Sequence, residues 1–334
     1  MKYVLGILLL MTAAGLSAQN QSAEEIVVTG RLPGPAMWRV SKDDDHVLWI
    51  FATVSPIPKD MVWESARVEK VIGEAQEYIE PPDADVSVSP LVLLNPINYV
   101  RGYRLLNRLR KNPEDLTLKD ILPPEMYQRF DALRAKYDPK NKELEELRPM
   151  FAASTLDDPA LDEHGLAANR EIIKRINRLL KKNRQLKRTS TEIEVDVKGG
   201  YGTLADRAEA FIDSLPLETQ IACLDRQMRR IEQDIPGMIS RANSWAQGYV
   251  DEYRDLPPRE DESNPCFNLA LVSSEKDLVA ELQQRGEEKW LSAAEAALDN
   301  NAITFAVIGM EDAIRDNGLV ARLKARGYAV REPD

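Results

Sequence analysis

The sequence predicts an α/β fold: a mixed sheet built from N- and C-terminal segments, with a large, mostly helical insertion between them. Three observations carry this reading. Two β-rich runs, Met37-Trp38-Arg39-Val40 and Val47-Leu48-Trp49-Ile50-Phe51, stand near the start. A continuous apolar run from Ile303 to Ile308 stands near the end, in the pattern of a strand buried on both faces. Between about residues 91 and 253, apolar residues recur mostly at helical spacing.

The elements follow in order. The polar stretch Ser41-Lys42-Asp43-Asp44-Asp45-His46 reads as a hairpin turn between the first two strands. Ser65 is placed to cap a helix running to Gln76, with Val68, Val71, Ile72 and Ala75 on one face. Glu77-Tyr78-Ile79-Glu80 is a short strand stopped by Pro81-Pro82. The helical middle is broken at Asn112-Pro113, Pro123-Pro124, Asp138-Pro139 and Asp157-Asp158-Pro159. Thr191 to Val197 alternates with period two, so it reads as the one strand there, ended by Gly199-Gly200. Residues 255–265 form a polar, Pro-rich loop. Helices over 277–282 and 290–298 precede the buried strand. A helix over 319–326 with Gly327 as its stop, then a strand over 328–331, closes the chain.

The first residues carry an address. Lys2, an apolar run from Val4 to Leu16 and the small pair Ser17-Ala18 read as a secretory signal peptide cleaved near Ala18. The run is shorter than the roughly 20 residues a spanning helix needs. Residues 19–35 read as a flexible leader, and no other stretch predicts a membrane span. The expected location is therefore periplasmic or secreted. An oxidising compartment makes Cys223 and Cys266, the only two cysteines, candidates for a disulfide. Closing that loop would stabilise the fold by about 3–4 kcal/mol in the chain-entropy model. Two separate buried thiols are the alternative.

Charge narrows the function. The chain has 334 residues with 44 Lys+Arg against 55 Asp+Glu, a formal net charge of −11. That balance argues against a nucleic-acid binder, which needs a positive face to displace phosphate counterions. One local exception stands out: the run from Arg170 to Arg188 holds nine Lys/Arg and a single acid, Glu171. Ile172, Ile173, Ile176, Leu179 and Leu180 lie at helical spacing within it, predicting a basic amphipathic helix. It reads either as a solvated face opposite a core stripe or as a surface for an anionic partner. The two histidines, His46 and His164, have no His or Cys partner at metal-ligand spacing and read as surface residues. No Gly-x-Ser-x-Gly elbow, phosphate loop or dinucleotide glycine pattern is present. A Ser–His–Asp triad assembled by the fold stays open.

Two stretches resemble a known family. The opening Ala36-Met37-Trp38-Arg39-Val40 and Val47-Leu48-Trp49-Ile50-Phe51-Ala52-Thr53-Val54-Ser55-Pro56-Ile57-Pro58-Lys59 looks like the start of the TraB/GumN family, which is related to the Tiki metalloproteases. The family's first motif there is Gly-Thr-x-His followed by x-Leu-Pro. Phe305-Ala306-Val307-Ile308-Gly309-Met310-Glu311-Asp312, with Asn317-Gly318-Leu319 and Ala325-Arg326-Gly327-Tyr328-Ala329-Val330, is similar to the second motif, an apolar strand followed by Gly-x-x-His. Leu147-Arg148-Pro149 and Glu192 fit the middle loosely. The resemblance implies a single α/β domain over 36–334.

The family's chemistry does not carry over. Its first-motif Gly falls on Ala52 and its His on Ser55; the second motif keeps Gly309, but its His falls on Asp312. The acidic residue after the family's second strand falls on Glu80, and its Arg-Asn pair is matched only in part, by Arg285-Gly286. Tiki-like activity rests on the paired histidines as metal ligands, so the resemblance implies a pseudoenzyme with a degenerate metal site. Such a protein would bind a peptide, a polysaccharide or an envelope protein. No cofactor is predicted. Should Ser55, Glu80, Glu311 and Asp312 converge, their oxygens would suit a divalent cation such as Mg²⁺ or Ca²⁺. The chain would then be a metal-dependent, peptidase-like hydrolase with an altered acidic site. Otherwise these residues are polar strand ends.

Overall fold

The computed structural model describes residues 34–85, 96–194, 206, 209–210, 212–257 and 276–333. The predicted signal peptide, most of the leader and Cys266 lie outside the described residues.

The first two runs form a hairpin, β1 (Met37–Ser41) and β2 (Val47–Thr53), paired antiparallel. Asp43 builds the turn: its Oδ1 accepts hydrogen bonds from the backbone N–H of Asp45 (2.9 Å) and of His46 (2.8 Å). The His46 ring also lies against it, with Nδ1 2.8 Å from Asp43 Oδ1. An Asp side chain satisfying the backbone two residues on is the local reason the chain reverses here. The remaining strands are β3 (Ile57–Pro58), β4 (Glu77–Ile79), β5 (Ala84–Asp85), β6 (Leu166–Ala167), β7 (Lys187–Thr189), β8 (Ile193–Glu194), β9 (Ile303–Gly309) and β10 (Ala329–Arg331). The helices in chain order are α1 (Ala66–Glu74), α2 (Pro96–Arg110), α3 (Leu118–Ile121), α4 (Pro124–Tyr137), α5 (Pro149–Glu163) and α6 (Arg170–Lys182). They continue with α7 (Leu217–Arg229), α8 (Ile235–Gln247), α9 (Val250–Asp255), α10 (Lys276–Asn300), α11 (Met310–Ile314) and α12 (Leu319–Ala325).

Six strands make one mixed sheet in the order β10-β1-β2-β9-β4-β7. The N- and C-terminal segments do share it. β9 runs parallel to both β2 and β4, with Trp49 opposite Phe305, Thr53 opposite Gly309 and Tyr78 opposite Phe305. Leu48, Ile50, Phe51 and Ala52 of β2 and Phe305, Ala306 and Ile308 of β9 are fully buried, so both faces of the central strands are covered. Helix α1 packs with α6, and α10 packs with α12; the two pairs serve as the covering layers. On the α1 side an aromatic stack runs across the strands. Phe305 lies 6.3 Å from Phe51 and 6.1 Å from Tyr78, and Trp63 and Trp245 close over Phe51 at 5.9 and 6.2 Å.

A second core lies in the helical middle, where Leu118, Phe130, Leu144, Leu156, Leu224 and Met228 are fully buried. Helix α8 joins the two cores: Ile235 and Met238 belong to the second, Ala242 and Trp245 to the sheet core.

The structure departs from sequence reading at several points. Residues 170–188 are not one helix. The helix ends at Lys182, Asn183 Nδ2 donates to the carbonyls of Ile72 and Ala75 (2.9 Å each), and the chain re-enters the sheet as β7. Lysine and arginine side chains hid that strand because its edge position tolerates charge. The strand expected over 191–197 is reduced, within the described residues, to Ile193–Glu194. Thr191 breaks it off β7 by donating its hydroxyl to the carbonyls of Glu80 (3.0 Å) and Pro81 (2.9 Å). Pro159 does not end a helix; α5 runs through it, its last turn held by the burial of Leu156 and Ala160. The two helices expected over 277–282 and 290–298 are the single helix α10. Ser65 precedes α1 but spends its hydroxyl on Glu69 Oε1 (2.7 Å), while Glu64 Oε1 accepts from the N–H of Ala66 (2.8 Å).

Candidate functional site

Connections leaving the central parallel strands diverge. From β2 the chain passes by α1 to β4 on one side; from β9 it passes by α11 and α12 to β10 on the other. Adjacent parallel strands whose continuations part leave a crevice at their carboxyl ends, the place where α/β sheets hold ligands. Such a cleft, about 290 Å³ in volume, opens there, lined by Thr53, Val54, Ser55, Asn169, Tyr253, Gly309, Met310, Glu311 and Asp312.

Its walls are fastened by hydrogen bonds. Thr53 Oγ1 donates to the Ile308 carbonyl (3.2 Å), stitching β2 to β9 at the rim. Asn169 Nδ2 donates to the Val54 carbonyl (2.9 Å) just before α6 begins. Trp245 Nε1, fully buried on α8, donates to the Ala52 carbonyl (2.7 Å) behind the cleft. Tyr253 Oη on α9 donates to Glu311 Oε1 (3.1 Å).

Asp312 is half-buried and engaged. Its Oδ1 accepts from Arg315 Nη2 (2.8 Å), which also reaches Glu287 Oε1 (3.3 Å), whose other oxygen accepts from Arg322 Nη1 (2.7 Å). Burial pushes the Asp312 carboxyl above the usual range; Arg315 pulls against this, and Glu287 and Glu311 add to the rise. Two glycines make room for it. A Cβ at Gly309 would stand 3.2 Å from Asp312 Oδ2, and one at Gly318 would stand 2.4 Å from the Asp312 carbonyl oxygen.

The sequence-derived candidates therefore separate. Ser55, Gly309, Glu311 and Asp312 meet at one cleft, with Ala52 fully buried behind it. Glu80 does not join them. It lines a different cleft of about 240 Å³ between the end of β4 and α6, together with Asp83, Ser190 and Glu192 and apolar walls from Ile173, Ile176 and Val307. Among the described residues no three His, Cys, Asp or Glu side chains are grouped to hold a metal ion. Apart from the Met310 thioether the cleft lining offers oxygen donors and no imidazole or thiolate, and both carboxylates already have partners, so this set does not fit a borderline ion of the zinc type.

The sequence profile of the TraB/PrgY/gumN family matches residues 36–332. The chain belongs to that family. No curated protein and no solved structure matches it. In this TraB/PrgY/gumN chain the two stretches that carried the resemblance end at the same cleft, which Ser55 and Asp312 both line.

Sequence reading missed Thr53, Asn169, Tyr253 and Arg315 at the site. Arg315 had a legible signal, standing three residues after Asp312 at the end of α11. Tyr253 had none, since it meets Glu311 from 58 residues away.

Proposed function

We propose that this protein is an exported, non-catalytic member of the TraB/PrgY/gumN family that uses the β2–β9 cleft to bind a peptide, a polysaccharide or an envelope protein. The observation that carries the reading is the state of Asp312, which lines the cleft with its carboxylate already held by Arg315; the resemblance that sets it against a motif histidine supports the same reading. A carboxylate paired in this way is a poor metal ligand, and Ser55 supplies no nitrogen donor. The lining is rich in acceptors and hydroxyls, which suits a ligand presenting hydroxyl or ammonium donors.

The deciding experiment is hydrolysis of a mixed peptide library with and without chelator, beside calorimetry with Zn²⁺, Mn²⁺ and Ca²⁺. No chelator-sensitive cleavage and no stoichiometric metal binding are expected. Chelator-sensitive cleavage that disappears in Asp312→Ala would overturn the proposal. One observation favours a second reading, a hydrolase with an altered acidic site: a carboxyl raised by burial is what a general acid needs. That reading expects cleavage with an acidic pH optimum, abolished by Asp312→Asn.

Export rests on the N-terminal charge-and-apolar pattern. With it goes the pairing of Cys223, buried on α7, with Cys266. Alkylation of native protein is expected to label no cysteine until reductant is added; two labelled thiols would refute the bridge.

A further inference from the structure

Many arginines elsewhere among the described residues face a carboxylate: Arg129, Arg134, Arg148, Arg230, Arg322 and Arg326 each lie in a salt bridge. The basic run on α6 and β7 breaks that pattern. There Lys174 pairs with Glu171, Arg175 with Glu69, and Lys187 with Glu77. The other six cations, Arg170, Arg178, Lys181, Lys182, Arg184 and Arg188, are exposed and form no salt bridge among the described residues. In a chain of net charge −11, this is a dense positive patch, offset among the described residues mainly by Glu69, Glu77 and Glu171.

Its shape narrows the partner. The apolar stripe of α6, Ile172, Ile176 and Leu180, is buried in the sheet core, so the helix has no free apolar face to insert into hydrocarbon. What remains is electrostatic. The cations spread across the exposed side of α6, from Arg170 to Lys182, and continue through Arg184 onto β7, the last strand in the sheet order. A patch extended over a helix face and a sheet edge matches a planar array of negative charge better than a single linear chain.

We propose that this patch adsorbs the protein onto anionic phospholipid bilayers, where each basic side chain near the surface gains from the negative surface potential. The inference is independent of what the β2–β9 cleft binds.

The test is co-sedimentation of the full chain with vesicles of phosphatidylcholine alone or with about 30% phosphatidylglycerol, at about 50 mM and about 500 mM salt. At low salt, binding to the anionic vesicles is expected to exceed that to neutral ones by about tenfold or more, and to collapse at high salt. The variant Lys181→Gln/Lys182→Gln/Arg184→Gln/Arg188→Gln is expected to lose about a hundredfold or more, and Lys181→Gln/Lys182→Gln alone about tenfold or more. All four side chains are exposed, and unchanged thermal melting checks the fold. A charge-matched control, Lys119→Gln/Lys140→Gln/Lys142→Gln/Lys324→Gln, is expected to bind as the parent does. Equal, salt-insensitive binding to both vesicle types would assign adsorption to the apolar N-terminal run and overturn the proposal. Equal loss in the control would overturn it too. So would heparin, added at matched charge, stripping the protein from anionic vesicles by binding the same patch more tightly.

Discussion

The sheet core and the helical core bury different polar groups. All five tryptophans pack in or against the sheet core, and the helical core holds none. The sheet core also buries polar groups. Glu77 is 4% exposed, yet it accepts hydrogen bonds from Thr189, from Asn301 Nδ2 (2.7 Å) and from Lys187 Nζ (3.0 Å), tying β4 to β7 and to the turn entering β9. The helical core buries the amides of Gln220 and Gln227 and half-buries the Asp157–Arg230 pair, while another of its charge clusters lies nearer the rim: Arg129 reaches Asp225 at 2.7 Å and Glu232 at 2.8 Å, with its own side chain 39% exposed. The difference follows from backbone chemistry. A helix satisfies its own amides, so its packing needs only an apolar stripe. Short parallel strands end inside the protein, and their ends need buried side-chain partners.

Trp245 stands where the two cores meet, and its loss is expected to have the largest effect. Trp245→Ala removes a fully buried indole and its bond to Ala52, at a cost of about 3–5 kcal/mol by denaturant unfolding. In the parent, tryptophan fluorescence and far-UV circular dichroism should unfold together, because α8 spans both cores; in the variant the curves should part. Coincident curves in the variant would break the view of α8 as the coupling element. Next comes Glu77→Ala, expected to cost about 2–3 kcal/mol for one buried, charge-assisted anchor. Burial raises the Glu77 carboxyl, but the bonds from Thr189, Asn301 and Lys187 outweigh it and hold it below its usual value. Its stabilisation is therefore present above the unfolded-state value and lost as pH falls through the folded one. Melting temperature against pH should show a shallower acid limb in Glu77→Gln than in the parent.

The helical core should respond weakly to the corresponding change. Arg129→Ala is expected to cost less than about 1 kcal/mol, because solvated pairs contribute little. A loss as large as that of Glu77→Ala would erase the contrast. Smallest at neutral pH is the effect of Tyr78, whose phenol burial pushes up to about 12, with Glu80 adding to the rise. Its neutral form favours the fold, so stability is unaffected below the unfolded value of about 10 and declines as pH climbs from there toward 12. Phenolate absorbance should show one tyrosine ionising last.

Legibility followed the same division. β2 and β9 could be read because strands covered on both faces must be apolar throughout, and the hairpin turn because Asp43 and its neighbours carry turn chemistry. β7 could not, since an edge strand can be made of Lys187, Arg188 and Thr189 and look like the tail of a basic helix. At the site, the family resemblance singled out Ser55 and Asp312, and both line the β2–β9 cleft. Tyr253 and Asn169 arrive from distant segments and leave no local trace, and the placement of Glu80 in its own cleft depends on how α6 lies across the end of β4.

Composition and pattern alone determined the α/β class and the sheet shared by the two ends, because strand and helix periods are properties of local residue type and spacing. Tertiary structure alone decided what the surviving oxygens do. Whether a carboxylate awaits a ligand or is already engaged depends on which cation the fold brings within about 3 Å of it. For Asp312 the cation, Arg315, is local, and what the fold adds is Glu287, which meets Arg315 from a helix the sequence places before the strand.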